Sequence, residues 1–204
     1  MCYGDSNTWG AIPNGGRYDV DVRWPGVMRQ RLGDDYWVVE EGLNGRTTVF
    51  EDPIEEDRCG KTFLPVALMT HQPLDLVIIK LGTNDLKRRF NQTAYTISKG
   101  AGLLVEKIQS RADTGVNGQA PQVLLVCPAP VFEVPPLLEM FAGAQEKSKQ
   151  LAGYFQQRAE ELGCHYMNAG EIITSSMIDG IHLEAEQHRL LGEAFAEHVK
   201  AILG

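Results

Sequence analysis

The chain of 204 residues has no surplus of positive charge, few cysteines and no long apolar run. Its 19 Lys and Arg residues are outnumbered by 27 Asp and Glu, giving a formal net charge of −8. This balance argues against nucleic acid or an anionic membrane as a partner, because both require a basic face. A membrane-spanning helix needs roughly 20 predominantly apolar residues, and no stretch of the sequence approaches that.

The few cysteines are also informative. They are widely spaced and lack the close pairs of a zinc site: Cys2, Cys59, Cys127 and Cys164. In a chain of this size they are predicted to be reduced, mostly packed thiols. The chain also shows no basic-then-apolar leader. We therefore expect a cytoplasmic protein with no metal site.

What is present is an alternation of short apolar runs with longer stretches of helical period, typical of a parallel sheet covered by helices on both faces. The length fits one domain, residues 1–204. Strands are predicted at Met1–Gly4, Trp37–Glu41, Leu74–Leu81, Gln122–Cys127 and His165–Asn168. Helices are predicted at about Pro25–Leu32, Phe63–Thr70, Thr93–Arg111, Gly143–Leu162 and Glu184–Leu203.

Polar turns follow the first three predicted strands, at the edge where open parallel sheets bind ligands. Ser6, in GDSN, is either a nucleophile at a strand end or part of a surface turn. Gly45, in NGR, lets a backbone N–H approach a substrate closely, or is a plain turn glycine. Asn84, in GTND, offers an amide donor to an oxyanion, or forms a common turn or cap.

Asp179 and His182 lie three residues apart before the last predicted helix. A carboxylate at this spacing can fix the histidine tautomer and leave the other ring nitrogen free to take a proton. Taken alone, the pair is better explained as a helix cap and a helix-start residue. Together with the three strand-end turns, however, it completes the components of acyl transfer: a nucleophile, oxyanion donors, a base and its orienting group.

With these blocks, the sequence resembles the SGNH hydrolases, also called the GDSL-like esterase/lipase superfamily. The matching blocks are Gly4-Asp5-Ser6-Asn7, Asn44-Gly45, Gly82-Thr83-Asn84-Asp85 and Asp179-Gly180-Ile181-His182. Longer stretches resemble the bacterial arylesterase/acyltransferase subgroup: DVRWPG, EEGLNGRTT and PLDLVIIKLGTND. The resemblance implies a three-layer α/β/α sandwich around a flavodoxin-like, five-stranded parallel sheet.

The resemblance also implies the roles of the site residues. It makes Ser6 the nucleophile, His182 the base and Asp179 its partner, with the N–H groups of Ser6 and Gly45 and the amide of Asn84 as the oxyanion hole. No metal or cofactor enters this chemistry. Four further residues are predicted to line the substrate pocket: Asn7, Trp9, Phe132 and Ile181. The polar Asn7, where the superfamily often has Leu or Ser, is expected to make the pocket beside the nucleophile more polar.

The implied activity is hydrolysis of small aryl and alkyl esters through an acyl-enzyme, with transfer of the acyl group to alcohols or hydrogen peroxide as a side activity. The resemblance also implies a homo-oligomer, with an octamer as one candidate form. Alternatives within the superfamily are a carbohydrate O-acetylesterase and a thioesterase/lysophospholipase. A nucleotide-binding module would need a glycine-rich phosphate loop, which the sequence lacks. A catalytically inactive interaction protein on the same fold stays open.

Overall fold

The structure, a computed structural model, describes all 204 residues and is built on one five-stranded sheet. The strands are β1 (Cys2–Gly4), β2 (Glu40–Gly42), β3 (Leu76–Lys80), β4 (Gln122–Cys127) and β5 (His165–Asn168). All neighbours pair in parallel, in the order β2-β1-β3-β4-β5. This is the flavodoxin-like order, so the predicted fold class is confirmed.

Helices cover both faces of the sheet. They are α1 (Ser6–Trp9), α2 (Trp24–Leu32), α3 (Gly60–His71), α4 (Ala94–Gln109), α5 (Ala144–Lys149), α6 (Leu151–Leu162) and α7 (Ala185–Leu203). Helices α3, α4 and α6 pack on one face and α2 and α7 on the other, which gives three layers. None of the helices combines the length and apolar character that crossing a bilayer requires.

Two apolar cores hold the layers together, one on each face of the sheet. Because side chains alternate along a strand, Val77 and Ile79 of β3 enter the core under α4, whereas Leu76 and Ile78 enter the core under α7. All five residues of β3 are buried. A central parallel strand covered on both faces therefore needs the nearly continuous apolar run that the sequence shows.

The structure corrects two of the predicted elements. The predicted strand at 37–41 lies later in the chain, at β2, and Trp37 is 91% exposed. The three residues of β1 pair with Glu40–Gly42, so the hydrogen-bonding partner fixes this strand more than its apolar content does. The predicted helix at 143–162 is divided at Gln150 into α5 and α6.

The carboxyl ends of β1, β2 and β3 meet at one edge of the sheet. Strand β1 lies between β2 and β3, so the chain reverses its winding direction there. The turns after these three strands contain Ser6, Gly45 and Asn84. The topology thus places the three predicted groups around the crevice where doubly wound sheets bind their ligands.

Candidate active site

Ser6 is the first residue of α1, directly after the turn that ends β1. Asp5 caps this short helix, because its Oδ1 accepts the N–H of Asn7 at 3.0 Å. Gly10 caps the other end of the helix, and its N–H donates to the carbonyl of Ser6. Asp5 therefore braces the turn, and the hydroxyl of Ser6 is held at the carboxyl edge of the sheet.

The loop before α7 positions Asp179 and His182. Oδ1 of Asp179 accepts the backbone N–H groups of Ile181 at 3.0 Å and His182 at 2.9 Å. Gly180 between them has φ +81°, and a Cβ at this position would collide with the carbonyl oxygen of Phe132. Only glycine fits this turn, which directs both side chains to the same side.

His182 joins the loop to the serine. Its Nδ1 lies 2.7 Å from Oδ2 of Asp179, and its Nε2 lies 3.0 Å from Oγ of Ser6. Burial alone would raise the pKa of Asp179, but hydrogen bonds from His182 and Ile181 outweigh it and lower that pKa to about 2. Because Asp179 is a carboxylate, Nδ1 carries the proton, and Nε2 of the neutral ring can accept the proton of Ser6.

The two other predicted donors belong to neighbouring loops. Gly45 has φ +78°, a conformation that favours glycine, and it lines the same cavity as Ser6. Asn84 begins the 3₁₀ turn Asn84–Leu86, and its Nδ2 donates to the carbonyl of Arg46 at 3.1 Å. An amide nitrogen carries two hydrogens, so this bond fixes the side chain and leaves one donor for a ligand.

Two residues beside the motifs tie these loops together. Asp85 is fully buried and accepts the backbone N–H of Thr48 at 3.0 Å, which links the loop after β2 to the turn after β3. Burial raises the pKa of Asp85 to about 6. The buried guanidinium of Arg46 donates to the carbonyl of Gly4 at 3.0 Å and lies 4.1 Å from the centre of the Tyr3 ring. Both residues are therefore structural parts of the site.

A cavity of about 390 Å³ contains the predicted groups. Ser6, Gly45, Asn84, Asp179 and His182 all line it. Trp9 and Ile181, two of the four residues predicted for the pocket, also lie in its wall. Apolar side chains from the segment between β4 and α5 complete this part of the wall, and none of them was predicted: Pro136, Leu137, Met140 and Phe141.

Asn7 and Phe132 do not line the cavity, so their predicted places in the pocket are wrong. The amide of Asn7 is buried and bonded on both sides: Nδ2 donates to the carbonyl of Ile181 at 3.1 Å, and Oδ1 accepts the N–H of Leu183 at 3.2 Å. Phe132 supports the same loop through its backbone N–H, which donates to the carbonyl of Gly180 at 2.9 Å. Asn7 therefore clamps the loop of His182, and its polarity does not enter the pocket.

Two charged residues of the wall, Glu55 and Lys87, were not predicted either. Glu55 belongs to an acidic stretch of the chain, in which Asp52 is buried and pairs with Arg89. The only signal in the sequence is the basic run Lys87-Arg88-Arg89 shortly after the GTND block. No group of three or more metal-ligating side chains lies close enough together to hold a metal ion.

A doubly wound sheet with a serine, a histidine and an aspartate hydrogen-bonded in series at its carboxyl edge has the architecture of the SGNH hydrolases. The model of the GDSL-like lipase/acylhydrolase family matches residues 2–190. The chain therefore belongs to this family.

Solved structures agree with this assignment over the whole chain. Est24, a carbohydrate acetylesterase from Sinorhizobium meliloti, is 44% identical and superposes with a TM-score of 0.95, covering 99% of this chain and 98% of Est24. An aryl esterase from M. smegmatis is 41% identical, with a TM-score of 0.93 and the same coverage of 99% and 98%. A relative by sequence, an acetylxylan esterase from Xylanibacter ruminicola, is 25% identical over 98% of this chain, which spans 42% of that enzyme's length.

Proposed function

We propose that the chain is a serine esterase that hydrolyses small carboxylic esters through an acyl-enzyme on Ser6. The observation that carries this proposal is the hydrogen-bonded series from Ser6 through His182 to Asp179, with distances of 3.0 and 2.7 Å. Gly45 and Asn84, which we assign as oxyanion donors together with Ser6, line the same cavity. Membership of the GDSL-like lipase/acylhydrolase family supports the same reaction class.

In the first step, Oγ of Ser6 attacks the ester carbonyl while its proton passes to Nε2 of His182. The ring becomes an imidazolium, which the carboxylate of Asp179 stabilises across the 2.7 Å hydrogen bond. The attack forms the Oγ–C bond and moves the carbonyl electrons onto oxygen. The product of this step is a tetrahedral intermediate with one negative charge.

That oxyanion is assigned to three donors: the backbone N–H groups of Ser6 and Gly45 and the free amide hydrogen of Asn84. Loss of one such donor raises the barrier by roughly 3 kcal/mol in serine hydrolases. The bond from Asn84 to the carbonyl of Arg46 holds its amide before the substrate arrives. The donors are thus fixed in advance, and little reorganisation accompanies the development of charge.

In the second half of the reaction, the imidazolium of His182 protonates the leaving oxygen, and the C–O bond of the ester breaks. Water then attacks the acyl-enzyme, gives its proton to His182 and releases the acid, which restores Ser6. An alcohol or hydrogen peroxide in place of water gives an ester or a peracid. Trp9, Ile181 and Phe141 line this cavity, and their apolar surface favours an organic acceptor beside the acyl group.

The chemical class of the ester is proposed in two forms. Small aryl and alkyl esters fit a cavity of about 390 Å³ with an apolar part of its wall. O-acetylated carbohydrates are the second candidate, because a carbohydrate acetylesterase and an acetylxylan esterase are among the proteins this chain is similar to. The homo-oligomer, including an octamer, stays a prediction that rests on the family resemblance alone.

The decisive experiment replaces the nucleophile. Ser6→Ala is expected to lower the hydrolysis of 4-nitrophenyl acetate at least about a thousandfold, because no other group can form the acyl-enzyme. A fluorophosphonate probe should label Ser6 in the native chain. Ser98→Ala, a buried serine of α4 outside the cavity, is the matched control. Substantial hydrolysis by Ser6→Ala, or no labelling of the native chain, would contradict the assignment.

A further inference from the structure

Glu55 and Lys87 form a charged section of the cavity wall beside the oxyanion donors. A Cβ on Gly45 would lie 2.6 Å from Oε2 of Glu55, so this carboxylate lies directly against Gly45. Lys87 follows Asn84 by three residues, and its N–H donates to the carbonyl of Asn84 at 3.1 Å. The pair therefore adjoins both loops that supply the donors.

A network of four charges fixes the pair. Nζ of Lys87 lies 2.9 Å from Oε1 of Glu55 and 3.6 Å from Oδ2 of Asp52. Arg89 pairs with the same two carboxylates, at 2.5 Å from Glu55 and 2.7 Å from Asp52. The side chains of Asp52 and Lys87 are 0% and 3% exposed. The wall is consequently rigid, since each member is held by more than one partner.

The network does not use every polar group of the two residues that line the cavity. Both cations bind Oε1 of Glu55, and Oε2 has no hydrogen-bond partner in the protein. Burial alone would raise the pKa of Glu55, but hydrogen bonds and charges of Lys87 and Arg89 outweigh it and lower that pKa. The ammonium of Lys87 has three donors and two carboxylate partners. An acceptor and a donor therefore remain for a ligand.

A hydroxyl group suits such a wall, because it can donate to a carboxylate oxygen and accept from an ammonium. An aryl or alkyl group in the same place would desolvate both charges without replacing their hydrogen bonds. If the acyl group on Ser6 is small, most of the 390 Å³ cavity remains for the alcohol half of the ester. The hydroxyl groups would then belong to the alcohol.

We infer that Glu55 and Lys87 form a subsite for hydroxyl groups of the alcohol half, so that esters of polyhydroxylated alcohols such as sugars are preferred. This inference rests on the proposed esterase activity and names its substrate class. The rival role is a purely structural brace, in which the pair only holds the loop of Glu55 against the turn of Asn84. A brace would affect every ester alike, whereas a subsite changes the preference between esters.

The test compares two acetates of primary alcohols on six-membered rings: methyl 6-O-acetyl-α-D-glucopyranoside, which has ring hydroxyls, and cyclohexylmethyl acetate, which has none. The native chain should show the higher kcat/KM for the sugar ester. In Glu55→Ala and Lys87→Met, the ratio of the two kcat/KM values should fall about tenfold, the effect of one hydrogen bond to a charged group. Glu56→Ala, an exposed neighbour outside the cavity, should leave the ratio unchanged.

Lys87 is buried, so Lys87→Met risks misfolding. Glu55→Ala keeps the test valid, because its side chain is 32% exposed and Asp52 still pairs with both cations. Equal loss on both esters, or a native chain without preference for the sugar ester, overturns the subsite. If 4-nitrophenyl acetate is still hydrolysed at Ser6 in that case, the proposed esterase stands. If the native chain does not hydrolyse 4-nitrophenyl acetate either, both proposals are overturned.

Discussion

Two loops that border the cavity use the same local geometry for different ends. Oδ1 of Asp179 accepts the N–H groups two and three residues later, and Oδ1 of Asp52 does the same with Ile54 at 3.0 Å and Glu55 at 3.1 Å. In each loop Oδ2 then holds a side chain of the site. It bonds His182 in the first loop and Arg89, with Lys87 nearby, in the second.

The difference lies in the group that each carboxylate holds. Nε2 of His182 lies within hydrogen-bond distance of Oγ of Ser6, so its loop can take the serine proton and return it. Arginine keeps its charge, and Lys87 lies between two carboxylates, so the loop of Asp52 presents fixed charges. Both aspartates have a lowered pKa because other interactions outweigh burial, which alone would raise it. For Asp179 these are hydrogen bonds from His182 and Ile181, and for Asp52 they are backbone hydrogen bonds and the charges of Lys87 and Arg89. The turn around each aspartate therefore fixes the carboxylate, and the side chain that Oδ2 bonds determines the chemistry of the loop.

The largest expected effect on activity comes from a change in the loop of Asp179. Asp179→Asn should lower kcat for 4-nitrophenyl acetate roughly a thousandfold or more, because an amide can donate to Nδ1 and stabilise the wrong tautomer of His182. The amide oxygen can still accept the two backbone N–H groups, so the loop should keep its shape. Steady-state kinetics measure the loss, and a urea titration should show a smaller change in stability than in activity. A variant with more than a tenth of the native kcat would contradict the role of Asp179.

The corresponding change in the second loop should act on stability. Asp52→Asn removes one partner of a buried charge network and is expected to lower the free energy of unfolding by roughly 3 kcal/mol. Hydrolysis of 4-nitrophenyl acetate should remain within the native order of magnitude, because Asp52 does not line the cavity. Urea unfolding measures the first quantity and steady-state kinetics the second. A thousandfold loss of activity with native stability would remove the distinction between the two loops.

The sequence predicted the sheet well where one strand is buried on both faces. The runs at β3 and β4 are nearly continuous and apolar, and their strands lie inside or at the predicted bounds. The edge strand β2 was predicted too early in the chain, because the apolar residues around Trp37 do not pair with β1. Its register follows from the three residues of β1, a contact between distant parts of the chain.

In the site, too, residues in local motifs were predicted, whereas those held by contacts between distant parts of the chain were not. Ser6, Gly45, Asn84, Asp179 and His182 were predicted to converge because each follows from a local motif at a known edge of the sheet. Glu55 and Lys87 were missed, because an ion pair across 32 residues leaves no spacing pattern in the sequence. Asn7 and Phe132 were misassigned since their neighbours in the chain line the pocket, while their own hydrogen bonds point to another loop.

The smallest expected effect on activity comes from Asn7, whose two hydrogen bonds hold the loop of His182 and have no counterpart in the loop of Asp52. Asn7→Ala leaves the carbonyl of Ile181 and the N–H of Leu183 without their partner, at a cost of about 1 to 2 kcal/mol in the free energy of unfolding. Because these residues flank His182, kcat should fall about tenfold, equivalent to 1.4 kcal/mol, with little change in KM. Asn7→Asp keeps the acceptor for Leu183 but puts a buried carboxylate oxygen against the carbonyl of Ile181, so it should lose at least as much. If Asn7 instead formed the pocket, the substitution would change the preference among 4-nitrophenyl esters of increasing acyl length, and equal losses on all of them would exclude that role.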